Sequence, residues 1–459
     1  MRRTGVNLTV ALLMLSFAGC KPDPSKPEYW DKKISDSKGK KEKVKAVEEL
    51  RASQHMGEAV VPVLLKHLAS QKHAEVKASI ARTLGEHHLA SATDGLIAAI
   101  DPAPSDSESR TLNKEIATAL GEIGDTKAVP ALVKLVRVKD NYTVIAALEA
   151  LGHLEAAAAF DDVYALAQDE NADPFVTRKA VIALGEIGDP KAVPGLIQAM
   201  IKERKGVSFY MEASFALYQL GKPAADALVA ILNKTDKTAV EWAAKAGIKD
   251  VAVYAKAMQI IGDLHDLRAE KALIEALNFK SEYDDIRLII RMRAADALGR
   301  MRSKEAVKPL STMLTEEESV ARRDYVAALV RIGGTEALPK LIESAASGIW
   351  DARHESIRGI AMLGDDVAVL EKLEADEPKR FEDECKNDSE LPGCSDAQGN
   401  AKKHVEAISK YKVRVAAAKT CQSDTACWQK SSTMPTLVFA SELHLSWLEP
   451  KAPISLRYL

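Results

Sequence analysis

Four cysteines crowd the last 75 residues of this 459-residue chain: Cys385, Cys394, Cys421 and Cys427. Such thiols can form disulfides, hold zinc or shuttle electrons. Zinc and redox sites favour closely spaced C-x-x-C pairs, whereas the intervals here leave eight and five intervening residues. Disulfides are therefore the leading reading, with three possible pairings. Asn400 to Lys419 reads as one helix, with Val405, Ile408, Tyr411, Val415 and Ala418 along one side. Its 20 residues rise about 30 Å. That length separates the first two cysteines from the last two, and a disulfide spans only about 7 Å between Cα atoms. The expected pairs are Cys385–Cys394 and Cys421–Cys427, each contributing about 2–3 kcal/mol through loop closure. Other chemistry is hard to find. The sequence has no phosphate-binding loop, G-x-S-x-G elbow, H-E-x-x-H helix or calcium loop. His87-His88 reads as a feature of a helix end. No catalytic, metal-binding or cofactor-binding set emerges.

The fifth cysteine belongs to another pattern. Met1 to Cys20 has a positive start at Arg2 and Arg3 and an apolar run from Val6 to Ala18. Thirteen residues are too few for a membrane span, which needs about 20, but suit an export signal. The end of the run, Phe17-Ala18-Gly19-Cys20, resembles the lipobox of bacterial lipoproteins, with Phe17 where that family usually has Leu. The resemblance implies a signal peptide over 1–19 and a diacylated thiol at Cys20. It also implies a cell-envelope location. Lys21 is not the Asp that retains such proteins at the inner membrane, which favours the periplasmic side of the outer membrane. Cleavage removes Arg2 and Arg3 and takes the net charge from −3 to −5. This balance argues against nucleic acid as a partner. Residues 20–41, rich in Pro, Lys, Ser and Gly, have tether composition. Trp30 is unusual there and fits either the membrane interface or the first helix.

The elements that would position everything else come from a repeat. Ala119 to Leu132 reads ALGEIGDTKAVPAL, and Ala183 to Leu196 reads ALGEIGDPKAVPGL. The skeleton is a Leu, then Ala eight residues on and an apolar residue about twelve on. It recurs at Leu84, Leu120, Leu151, Leu184, Leu217, Leu298 and Leu329, with weaker copies near Leu50, Ile261 and Ile360. The period is 31–37 residues, apart from one gap of 44. Each unit reads as two helices. In the strongest copy Arg110 to Ile123 is the first and Lys127 to Val138 the second, each with one apolar stripe. Gly124 and Gly188 suit a left-handed helix end, Asp125 and Asp189 suit the following N-cap, and Pro130 and Pro194 suit a first turn. Both glycines of LGEIG read as helix-end glycines.

The pattern resembles the HEAT-repeat family, specifically the bacterial subgroup related to phycobilisome lyase repeats, over about residues 42–376. It implies an all-α fold, an α-solenoid of about ten helical hairpins. Residues 377–430 read as a disulfide-stapled helical excursion and 431–459 as a degenerate terminal repeat. Some HEAT-repeat proteins are di-iron hydroxylases with several His-Glu pairs. Only His354-Glu355 occurs here, and one pair cannot hold two irons. Two insertions, Asn233 to Lys256 with Trp242 and Tyr254 and the longer Asn278 to Arg293, read as lengthened helices with their aromatics buried against the next unit, or else as additions to a binding face. Arg110, Arg178, Arg293, Arg322, Arg323 and Arg353 read as a stacking ladder that pairs with turn carboxylates such as Asp125 and Asp189. The functional expectation is a non-enzymatic, lipid-anchored scaffold holding a protein or peptide along its second helices. Its rivals are a lyase or metal-dependent hydroxylase, and a structural spacer.

Overall fold

The computed structural model describes residues 23–316, 319–333, 335–347, 350–363, 367–387, 394 and 397–421. The signal stretch, Cys20, the Cys421 side chain, Cys427, residues 431–459 and the side chains of His354 and Glu355 lie outside the described residues. The chain divides into two compact units, 1–192 and 193–459.

The first unit holds α1 (Pro27–Asp36), α2 (Gly39–Arg51), α3 (Val61–Ser70), α4 (Ala74–Glu86), α5 (Thr93–Ala98), α6 (Ser107–Ile123), α7 (Val129–Leu135), α8 (Asn141–His153), α9 (Phe160–Gln168) and α10 (Pro174–Ile187). From α2 onward the even-numbered helices are the first helices of the repeat and the odd-numbered ones the second. The turn chemistry is as the sequence dictates. Gly124 and Gly188 have φ of 80° and 76°, the left-handed conformation that costs glycine nothing. The Asp125 carboxylate accepts the Lys127 N–H at 3.0 Å. A single 3-10 turn, Thr126–Ala128, then leads into α7, with Pro130 in its first turn. The second helix therefore starts late, where proline's missing N–H is harmless.

The expected tether over 20–41 is largely structured. Residues 27–36 form α1, whose Trp30 and Ile34 are buried. The Trp30 indole N–H donates to the Pro24 carbonyl at 2.8 Å. Lys66 and His67 of α3 both reach Asp31. Lys-rich composition misleads here because two apolar residues four apart are enough to seal the end of a stack. Full burial of each contributes about 2 kcal/mol.

The second unit begins with α11 (Val193–Ile201), then β1 (Glu203–Arg204) and β2 (Val207–Ser208), α12 (Tyr210–Leu220), α13 (Lys222–Leu232), α14 (Thr238–Lys245), α15 (Asp250–Leu264), α16 (Glu270–Leu277), α17 (Asp284–Met301), α18 (Val307–Glu316), α19 (Ser319–Ile332), α20 (Leu338–Ser347), α21 (Trp350–Leu363), α22 (Val367–Asn387) and α23 (Ala397–Cys421). The β1–β2 hairpin has no counterpart in the repeat pattern. Glu203 lies opposite Ser208, and Lys205 and Gly206 turn the chain with positive φ, as a two-residue hairpin loop requires. The Asn233–Lys256 insertion is not one lengthened helix. It adds the short α14, with Ala239 and Ala243 buried and Trp242 half-buried beneath the Lys202 ammonium. The longer Asn278–Arg293 segment does lengthen a first helix, α17, to 18 residues.

Near its end the array and the excursion share a helix, because α22 runs unbroken through the boundary expected at residue 376. Cys385 and Cys394 form a disulfide with Cα atoms 5.4 Å apart. Arg353 on α21 and Glu377 on α22 are both fully buried and paired at 2.9 Å. Arg353 also pairs with Glu384, one residue from the disulfide.

Candidate partner-binding face

The site begins with glycine. Of the two glycines in LGEIG, only Gly124 ends a helix. Gly121 lies inside α6, where a Cβ would come within 2.8 Å of the Ala150 Cα on α8. Gly262 and Gly299 meet Ala297 and Ala328 on the next first helices at the same 2.8 Å. Where α19 carries Val330 instead, α21 answers with Gly359. The repeat's small residues thus bring successive first helices into near-backbone contact.

The second helices do not stack so closely. In the first unit α5 and α7 meet the next repeat at its first helix and its 3-10 turn rather than along its second helix, while α4, α6, α8 and α10 lie against one another along their length. A stack tighter on one side curves toward that side, so within residues 74–187 the first helices form the inner face. Within these residues this corrects the expectation that the second helices, such as the one from Lys127 onward, line the groove. The arginine ladder is corrected too. Asp125 and Asp189 cap backbone N–H groups. Three inter-repeat pairs join first helices, Arg51–Glu86 and Arg82–Glu115, both at 3.1 Å, and Lys179–Glu149 at 2.9 Å, and Arg137–Asp162 at 2.7 Å joins the ends of two second helices.

Two features of that face were not anticipated. Tyr142 is 73% exposed and Phe175 63% exposed. They sit on the neighbouring helices α8 and α10, each nine residues ahead of the repeat leucine. Ile145 and Ile182 lie partly exposed on the same helices. At the other end, the second residue after each repeat leucine forms a row: Glu86, Glu122, His153 and Glu186. The Glu122 carboxylate folds over Gly85 of the preceding first helix and Glu186 over Gly152, space that only glycine leaves. Among the described residues neither carboxylate makes an ion pair, but Glu122 lies in the field of His88 and Arg82, and Glu186 in that of His153 and Lys179. Burial pushes the pKa of each above the usual carboxylate range, and nearby Glu86 adds to the effect at Glu122. The signal was in the sequence as Gly-Glu at 85–86, 121–122 and 185–186, but its meaning depends on the next repeat.

The second unit treats the same register differently. Arg300 bridges Asp263 on α15 and Asp296 on its own helix, and Arg331 on α19 reaches Asp296 as well. Tyr210 lies in the field of Arg293, Asp263 and Arg300, and burial pushes its phenol up to about 12. Among the described residues no cluster of His, Cys, Asp and Glu is placed to hold a metal ion. Among the same residues no helix is long and apolar enough to cross a membrane.

Comparison with known proteins agrees on architecture. A family model for HEAT repeats matches residues 61–151, 102–175, 140–208 and 288–361. No curated protein sequence matches. The structure of the karyopherin Kap121p bound to Pho4p is similar at a TM-score of 0.54 and 14% identity, over 91% of this chain and 50% of that one. Kap121p bound to the extreme C-terminus of the protein phosphatase Cdc14p gives 0.53 and 14%, over 92% and 49%. The complex of CpcE and CpcF of phycocyanin lyase from Nostoc sp. PCC7120 is 24% identical over 57% of this chain and 97% of that chain, with a TM-score of 0.32. The chain thus carries HEAT repeats across residues 61–208 and 288–361 and is built as an α-solenoid.

Proposed function

We propose that this protein is a non-enzymatic scaffold, anchored to a membrane of the bacterial cell envelope by a lipid on Cys20, that binds a protein or peptide partner on its first helices. The observation that carries the reading is the inner face of α6, α8 and α10. It presents exposed aromatic side chains and half-buried carboxylates that make no ion pair, on closely packed helices. Interfaces use large aromatic side chains of this kind as anchors. In the Kap121p structures a related solenoid holds segments of other proteins. The anchor reading rests on the Phe17-Ala18-Gly19-Cys20 run and favours the periplasmic side of the outer membrane.

Because α1 starts at Pro27, the link from Cys20 is short. Its six intervening residues reach at most about 20 Å, so the solenoid is held against the membrane rather than on a long leash. Two measurements test the reading. Mass spectrometry of the intact mature protein should show a diacylated N-terminal Cys20; an unmodified thiol there removes the anchor. Affinity capture from a solubilised envelope should recover a defined partner, lost when residues 107–187 are deleted. Repeated capture of nothing removes the scaffold.

A further inference from the structure

The scaffold reading leaves the partner's chemistry open, and the inner face narrows it. Tyr142 and Phe175 occupy the same register on adjacent helices, and packed helices lie about 8–10 Å apart axis to axis. Glu186 lies eleven residues beyond Phe175 on α10, about 16 Å along the axis. Glu122 occupies the matching place on α6. The face therefore has an aromatic end and an anionic end.

Both glutamates are in the last turn of their helices. That is the negative end of the helix dipole, where a carboxylate is disfavoured and a cation favoured. The neighbouring Lys and Arg side chains are paired elsewhere, Lys179 with Glu149, and Arg82 and Lys114 with Glu115, while His88 bonds the Glu122 backbone carbonyl and His153 lies near Glu186. Arg178 lies over the Phe175 ring at 5.8 Å, toward the aromatic end. Two half-buried carboxylates at the wrong end of a helix, with no ion pair of their own, cost stability, and a bound cation would reverse that cost.

Resting on the scaffold reading, we propose that the inner face of α6, α8 and α10 binds a cationic amphipathic peptide segment of the partner. Its apolar side chains seat on Tyr142 and Phe175, and its Lys or Arg side chains reach Glu122 and Glu186. An anionic segment would meet those two carboxylates unshielded.

The probe is a fluorescein-labelled amphipathic peptide of Leu and Lys, with a Leu and Glu peptide of the same pattern as control. Binding to the full chain is followed by fluorescence anisotropy. The Lys peptide is expected to bind and the Glu peptide not. Tyr142→Ala with Phe175→Ala should weaken the Lys peptide roughly tenfold, the scale of losing interface anchors. Glu122→Gln with Glu186→Gln should weaken it about fivefold and flatten its salt dependence. All four side chains are exposed or half-exposed, and circular dichroism will confirm unchanged helix content. Absence of binding by the Lys peptide, equal binding of both peptides, or indifference to either double variant overturns the proposal. The scaffold reading fails separately. A partner captured from the envelope and retained by both double variants leaves the scaffold standing and this face refuted.

Discussion

At the second position after the repeat leucine the two units of the molecule solve one electrostatic problem in two ways. Residues 1–192 place Glu86, Glu122, His153 and Glu186 there, and among the described residues Glu122 and Glu186 make no ion pair, although His88 and Arg82 act on the one and His153 and Lys179 on the other. Residues 193–459 place Asp263, Arg300 and Arg331 there, joined through Asp296 into one chain of ion pairs. The packing beneath is the same in both, glycine against alanine. The difference therefore concerns charge and not fold. One unit leaves the inner ends of its first helices unsatisfied, and the other closes them with its own side chains. A face that is internally satisfied gains little from a ligand, whereas one that carries unmet charge has something to gain.

The strongest test of the closed unit is its buried ion pair. Arg353 and Glu377 are both 0% exposed. Arg353→Met should destabilise the full chain by about 3–5 kcal/mol, because a buried carboxylate is left without its cation. Adding Glu377→Leu should recover most of that loss. Urea unfolding followed by circular dichroism measures both. A single variant that costs less than about 1 kcal/mol would show that water reaches the pair. The next effect should be common to both units. A Cβ at Gly121 or Gly299 would meet the facing alanine backbone at 2.8 Å. Gly121→Val and Gly299→Val should each cost about 2–3 kcal/mol from overpacking. A loss at one site only would mean that the packing is not shared after all.

These glycines show what the sequence could and could not reveal. Helix boundaries, caps and the late start of the second helix were legible, because Gly124, Asp125 and Pro130 each act within one turn of chain. Solenoid architecture was legible from the spacing of the repeat leucines. Gly121 was misread as a helix end because its reason lies 29 residues away, at Ala150. The inner face was misassigned for the same cause, since curvature depends on which helices approach most closely. Trp30 stood out in its lysine-rich stretch but was left between the membrane interface and the first helix, because the average composition hides Ile34 four residues on, which shares its buried side. Of the arginines read as a stacking ladder, Arg353 pairs with a neighbouring helix, while the pairs between first helices in residues 1–192 use Arg51, Arg82 and Lys179, which were not singled out.

The open and closed faces should also differ in response to truncation of charge. Asp296→Ala breaks the chain of pairs to Arg300 and Arg331. Those partners are 25% and 49% exposed, so screening limits the loss to about 1 kcal/mol. Glu122→Gln removes no pair and should cost nothing measurable by thermal unfolding. If both variants are equally destabilised, Glu122 has a partner in solution and the contrast between the units disappears.

The smallest effect is the most specific, because it is one of sign. Glu186 has its pKa raised, mainly by burial, with Glu149 on α8 adding to the rise and His153 on α8 and Lys179 on α10 opposing it. Folded, it takes up its proton more readily than unfolded. Its contribution is therefore most favourable below an unfolded pKa of about 4.3 and is given up as pH rises through the higher folded value. Asp226 has its pKa lowered by Lys222 and Arg268. Its contribution is present above its unfolded pKa and is lost as pH falls through the lower folded value. Glu186→Gln should thus raise stability near neutral pH by about 0.5 kcal/mol, the scale of a mild surface change, with the gain vanishing toward pH 4. Asp226→Asn should do the reverse, lowering stability near neutrality and converging with the parent in acid. Melting temperatures across pH 3.5–8 compare the two. Parallel curves for Glu186→Gln and the parent would mean that solvent already relieves this carboxylate, and with it would go the reason for the face to seek a cation.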